Sequence, residues 1–203
     1  MDSPSVTRRS PRRTPRPARP TWWAAGGVLL LMAALTVGWP LIDRSLDDGE
    51  SVRDGALLVL GPGDDVAALR VVGAGWVLSK SVSNPNSQYA LSRDGVDLVA
   101  GFVDLPGTAD AGQLWTGLRK VQSVADSGSR LGSARPVTGT AGAKGLTGAL
   151  SRDGRTGTAD VWLPPVGSYA VEVTVLAEPG TGPRALADAM AVARSVSFPP
   201  AAS

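Results

Sequence analysis

The run from Trp22 to Ile42, WWAAGGVLLLMAALTVGWPLI, carries no charge over 21 residues. At about 1.5 Å of rise per residue, a helix of that length spans roughly 31 Å, close to the hydrocarbon thickness of a bilayer. Within lipid a lone apolar run must be helical, because only a helix satisfies its own backbone groups. Gly26, Gly27 and Gly38 are compatible with a membrane helix. Trp22, Trp23 and Trp39 stand at its two ends, where indole rings favour the headgroup level. Pro40 suits the helix end. A cleaved signal peptide would have a shorter apolar region, about 7–15 residues, followed by a small-x-small site. Here Trp39-Pro40-Leu41-Ile42 occupies that position. The sequence therefore predicts an uncleaved transmembrane helix over residues 22–42.

Flanking charge sets its orientation. Residues 1–21 hold Arg8, Arg9, Arg12, Arg13, Arg16 and Arg19 against one acid, Asp2. Asp43, Asp47, Asp48 and Glu50 follow the helix, with Arg44 and Arg53. The positive-inside rule places the N-terminus in the cytoplasm and the C-terminal part outside the plasma membrane. Neither Arg8-Arg9 nor Arg12-Arg13 is followed by the apolar residues of a twin-arginine export signal. The organisation expected is a disordered basic tail (1–21), the transmembrane helix (22–42), a polar linker (43–54), a folded extracytoplasmic domain (55–198) and a short tail (199–203). The bilayer is the first partner this implies.

Charge is divided unevenly along the chain. The tail takes six of the 20 basic residues and one of the 18 acidic ones, so the remainder is mildly acidic. The overall net charge of +2 therefore belongs to the anchor's foot and is no mark of a nucleic-acid-binding surface. Cysteine is absent, which excludes a disulfide framework and a lipoprotein anchor. Arginine outnumbers lysine and Ile42 is the only isoleucine. That composition suggests a GC-rich genome, as in actinobacteria.

Within the domain, strands are predicted at Ala56–Leu60, Ala68–Val72 and Trp76–Leu78. Hairpins are predicted at Gln88–Leu91 with Val96–Val103, and at Leu146–Leu150 with Thr158–Leu163. Both hairpins turn on Ser-Arg-Asp-Gly, at 92–95 and 151–154, inside a repeated Ala-Leu-Ser-Arg-Asp-Gly. The repeat reads as one turn chosen twice rather than as a duplicated unit. A helix is expected over Ala109–Val124, with Thr108 as N-cap, Asp110 in its first turn, and Leu114, Trp115, Leu118 and Val121 on one face. Residues 126–145 read as loop with one weak strand. Tyr169–Ala177 alternates clearly, with Tyr169, Val171, Val173 and Val175 on one side and Glu172 and Thr174 on the other. Pro183 opens a last helix whose core side carries Leu186, Ala189, Met190, Ala193 and Val196.

Strands, helix, strands, helix, joined by hairpin-length connections, predict an α+β fold: an antiparallel sheet with helices packed on it. Gly75-Trp76 after a short strand, Tyr89-x-Leu91 hairpinned to Val96-x-Leu98-Val99-x-Gly101, the mid-chain helix, and a terminal helix ending in Ser195-Val196-x-Phe198 resemble the Mog1/PsbP-like fold. The resemblance covers about residues 55–198. It implies an α/β/α-like sandwich and a role in binding partner proteins or in assembly, without catalysis. It carries over no functional residue.

Chemistry is sparse. Without histidine the usual general base, the Ser/His pair and most transition-metal sites are missing. Ser79-Lys80-Ser81 lacks Ser-x-x-Lys spacing, and Gly139–Gly145 fails the phosphate-loop pattern because Lys144 precedes its last glycine. Asp47, Asp48 and Glu50, and separately Asp64 and Asp65, match no calcium loop. No cofactor or metal is implied. Trp76 and Trp162 are candidate partner-binding residues if exposed, since tryptophan is enriched at interface hot spots. The function expected is a membrane-anchored binding or assembly domain meeting other envelope proteins. The alternatives are an envelope hydrolase using carboxylates, and a subunit acting through its transmembrane helix, where Gly26, Gly27, Ala33 and Ala34 offer small residues.

Overall fold

The computed structural model describes residues 49–64, 66–105, 110–125, 128–166 and 168–200. The expected transmembrane helix, its tryptophans Trp22, Trp23 and Trp39, the six tail arginines and Thr108 lie outside those residues. Among the described residues no helix is long and apolar enough to cross a membrane.

The strands are β1 (Gly49–Val52), β2 (Leu57–Leu60), β3 (Ala67–Arg70), β4 (Trp76–Ser79), β5 (Gln88–Arg93) and β6 (Val96–Asp104). Helix α1 (Ala111–Ala125) follows, then β7 (Arg130–Leu131), β8 (Arg135–Thr138), β9 (Lys144–Arg152), β10 (Arg155–Leu163) and β11 (Tyr169–Ala177), and last α2 (Pro183–Ala193). An antiparallel sheet runs β1-β4-β5-β6-β11-β10-β9-β7, with β8 also paired to β9. The β2–β3 hairpin stands apart as a two-stranded sheet.

Both Ser-Arg-Asp-Gly turns are two-residue hairpin loops. Asp94 and Gly95 have φ of 46° and 76°, and Asp153 and Gly154 have 51° and 74°. Positive φ at both central residues is what a type I′ turn requires, and it matches the twist of the flanking strands. The two arginines beside these turns then diverge. Arg93 reaches Asp188 on α2, Nη1 to Oδ2 2.8 Å, while Arg155, just past the second turn, bonds Asp97 and Glu178. The repeat is thus one turn used twice.

The sheet buries both faces. On one, α2 and the β2–β3 hairpin cover Trp76, Leu98, Trp162, Val171, Val173 and Val175. On the other, α1 places Trp115 and Leu118 over Leu150, Val161, Ala170 and Leu176. Strand β11 shows why: Val171, Val173, Val175 and Ala177 at odd positions are buried on the α2 side, and Ala170 and Leu176 at even positions are buried against α1. Ala185, Ala189, Val192 and Ala193 of α2 are buried, with Leu186 and Met190 partly so.

Four local expectations are corrected. Residues 49–52, read as linker, form edge strand β1, held by backbone pairing to β4 and by the Glu50–Lys80 ion pair at 3.2 Å. Residues 126–145 contain β7 and β8 and the start of β9. Asp110 precedes α1 instead of standing in its first turn, and its carbonyl accepts from the N–H groups of Gln113 and Leu114. Val121, expected on the packed face of α1, is 63% exposed. The phosphate-loop look-alike is the β8–β9 connection, where the Gly139 N–H donates to the Ala143 carbonyl.

Candidate functional site

Helix α1 lies across the sheet at one end only. Trp115 anchors it: its indole rests on Gly148, and its Nε1–H donates to the Gly132 carbonyl at 3.2 Å. Towards β6 the packing beneath the helix is open. A cleft of about 350 Å³ opens there, with Leu114, Gly117, Leu118 and Val121 above and Val103, Val161, Ala170 and Glu172 below. Its surroundings are aliphatic apart from Gln113 and Glu172.

Glu172 sits at the middle of β11, between Val161 on β10 and Gly101 on β6. Gly101 adds no side chain, and a Cβ built there would meet nothing within 4 Å. The floor is therefore open on that side of the carboxyl. Glu172 has no hydrogen bond or ion pair to any described residue, and burial among apolar groups pushes its carboxyl above the ordinary glutamate range. Alternation along β11 had marked Glu172 as facing away from Val171 and Val173. Ala170 and Leu176, apolar on that same face, were the signal that it too is covered.

The other perturbed acid is Asp160. It is fully buried on β10, and desolvation raises its pKa, against lowering contributions from a hydrogen bond with Thr147 and the charge of Arg194. Its Oδ2 has no hydrogen-bond partner among the described residues. Asp160 pairs across strands with Val173, on the α2 face, whereas Glu172 pairs with Val161, on the α1 face. The two raised carboxyls stand on opposite sides of the sheet and cannot act on one bond. Among the described residues no group of three or more acids could hold a metal ion.

Trp76 and Trp162, the candidate partner-binding residues, are corrected to core residues. Trp76 is 1% exposed and donates Nε1–H to the Val72 carbonyl at 2.8 Å; Trp162 is 0% exposed. Trp162 is indeed on the face opposite Val161, but that face is covered by α2. Its ring fits because Gly139 and Gly145 lie against it, with Cβ positions 3.3 and 2.9 Å from ring carbons. Such cross-strand seats are invisible to local alternation. A second cavity, of about 590 Å³, lies at the sheet's end among Lys144, Leu163, Pro164, Pro165, Phe198 and Pro199.

Scanned against protein-family models the sequence matches none, and a search of curated proteins gives no match either. Solved structures do match. The solution structure of cyanobacterial PsbP (CyanoP) from Synechocystis aligns with a TM-score of 0.51 at 16% identity, covering 73% of this chain and 95% of that one. The domain has a Mog1/PsbP-like fold. Two further structures align at lower scores. LpqN of Mycobacterium tuberculosis, described as involved in cell envelope biogenesis, gives 0.46 at 21% identity, over 78% of this chain and 95% of that one. A Bacteroides thetaiotaomicron protein gives 0.39 at 11% identity, over 73% of this chain and 50% of that one. In this PsbP-like domain the antiparallel sheet and its two helices are as expected from the sequence, and the α1 cleft is the feature that the sequence had not located.

Proposed function

We propose that this chain is a single-pass membrane protein whose PsbP-like domain stands outside the plasma membrane and binds another envelope protein without catalysing a reaction. The observation that carries the binding role is the cleft beneath α1: an apolar, accessible cavity beside an exposed Val121, with a single unpaired carboxyl in its floor. Cavities of a few hundred Å³ with mostly apolar walls and few polar groups are what binding sites look like. Anchoring rests on the uncharged run 22–42 and on the arginines before it. The separation of Asp160 and Glu172 by the sheet, together with the lack of histidine and cysteine, favours binding over hydrolysis.

The lack of native cysteine makes the test clean. A Val121→Cys variant is expressed in cells and treated with a membrane-impermeant maleimide. Labelling of intact cells is expected; labelling only after lysis overturns the placement. A photoactivatable crosslinker attached at the same position is expected to trap a discrete envelope protein, and the adduct is expected to disappear when Gly117→Leu fills the cleft. An adduct indifferent to Gly117→Leu overturns the cleft as the binding site.

A further inference from the structure

The cleft beneath α1 holds a carboxyl that no described residue pairs with. Glu172 is half-buried, with aliphatic Val161 beside it and Leu114, Leu118 and Val121 in the helix above. Of the two basic residues on α1, Arg119 reaches the Gly132 carbonyl with its Nη2 at 3.4 Å and Lys120 has an interaction of its own, while burial alone acts on the Glu172 carboxyl. Two acids further along the chain show the contrast: Glu178 bonds Arg155, and Asp188 bonds Arg93. A carboxylate removed from water among apolar groups is costly unless it takes up a proton or meets a cation. Neutral apolar cargo would leave that cost in place; cationic apolar cargo would relieve it.

The shape agrees with an occupant of that kind. The floor is open at Gly101 on one side of the carboxyl, so a group can come alongside Glu172 as well as onto it. The roof is open at Gly117, whose Cβ position likewise meets nothing within 4 Å. A lysine or arginine lays its aliphatic stem along apolar walls while its head stays with a polar partner. Flanking leucine-like side chains would rest against Val103, Leu118 and Val121. We propose that the cleft beneath α1 receives an apolar segment of a partner protein carrying one lysine or arginine, whose cation pairs with Glu172. This rests on the binding role proposed above and names the chemistry of what is bound.

The test uses the full chain in phosphatidylcholine nanodiscs and three fluorescein-labelled, capped peptides of the form Ser-Leu-X-Leu-Ser, where X is lysine, norleucine or glutamate. Binding is read by fluorescence anisotropy. The lysine peptide is expected to bind about tenfold more tightly than the norleucine peptide, the effect of one charge-assisted hydrogen bond in apolar surroundings, and the glutamate peptide not measurably. Glu172→Gln is expected to bring the lysine peptide down to the norleucine level and leave norleucine binding unchanged. Gly117→Leu is expected to abolish binding of both while its circular-dichroism spectrum and melting temperature hold, since a side chain at Gly117 meets open space and replaces a helix-weakening glycine. Equal affinity for the lysine and norleucine peptides, abolished by Gly117→Leu, overturns the charge pairing and leaves the cleft as an apolar binding site. Binding of no peptide overturns both. Glu172-dependent uptake of phosphatidylethanolamine from mixed nanodiscs, without peptide binding, overturns the protein segment in favour of an amine-bearing lipid.

Discussion

Trp115 lies against Gly148, its Cζ2 only 2.6 Å from where a Cβ on that residue would stand. The strand thus has no side chain at the one place where α1 needs an indole. Gly148→Ala should force the ring off its seat, and with it the Nε1–H bond to Gly132. Overpacking of a filled core costs about 1–3 kcal/mol, and the lost hydrogen bond puts this variant near the top of that range. Urea unfolding checks it. Gly101→Ala serves as the control, because the space beside Gly101 is open and the stability is expected to stay within about 0.5 kcal/mol of the parent.

Trp162 has the same arrangement on the opposite face, wedged between Gly139 and Gly145. Trp76 packs into the same cluster, with the Arg93 guanidinium 6.0 Å from its ring centroid. Truncating a fully buried tryptophan to alanine removes a large apolar area and leaves a cavity, at about 3–5 kcal/mol. Trp76→Ala and Trp162→Ala are each expected to lose that much in chemical denaturation. A variant at either position that keeps its stability would show the side chain to be outside the core.

These tryptophans mark where the sequence stops being legible. Period-two alternation located β11, both hairpin turns followed from Asp-Gly, and Pro183 marked the start of α2. Those signals are local. The burial of Trp162 depends on Gly145 of β9 and on Gly139 in the β8–β9 connection, and the second buried face of β11 depends on α1, which arrives from far along the chain. Strand β1 has the sequence Gly-Glu-Ser-Val, mostly exposed, and exists through backbone pairing with β4. No side-chain pattern announces an edge strand of that kind. Glu172 was visible as a polar residue on a strand, but its lone position under a helix is a property of the assembled fold.

Arg93 and Asp188 tie the first hairpin to α2. Their side chains are 12% and 20% exposed, and the N–O distance is 2.8 Å. Gly73 closes against the same pair: a Cβ there would stand 2.3 Å from Arg93 Nη1. Removing the acid leaves a largely buried guanidinium whose remaining ion-pair partner among the described residues is the exposed Asp94. Asp188→Ala is expected to cost about 2 kcal/mol, the scale of a hydrogen bond to a charged group left unmade. A double-mutant cycle with Arg93→Met measures the coupling, and a coupling within error of zero would refute the tie.

Asp160 gives the pH prediction. Its folded-state pKa lies above the unfolded value, chiefly because burial disfavours the charge. A carboxyl shifted in that direction binds more protons in the folded state, so its contribution to stability is full below the unfolded carboxylate range and is lost as pH rises through the folded pKa. The wild type therefore loses stability as pH rises, at a site where Oδ2 lacks a donor among the described residues. Asp160→Asn keeps an oxygen for the Thr147 bond and removes the charge. The variant is expected to melt at a higher temperature than the wild type at pH 7, and the difference is expected to shrink steadily towards pH 4, where the wild-type side chain takes up its proton. Glu172 is raised for the same reason, so the comparison is made in a Glu172→Gln background as well, and the pH-dependent difference should survive there. A difference between variant and wild type that stays constant from pH 4 to pH 7 would mean that Asp160 keeps its charge in the folded protein, with Arg194 outweighing the burial.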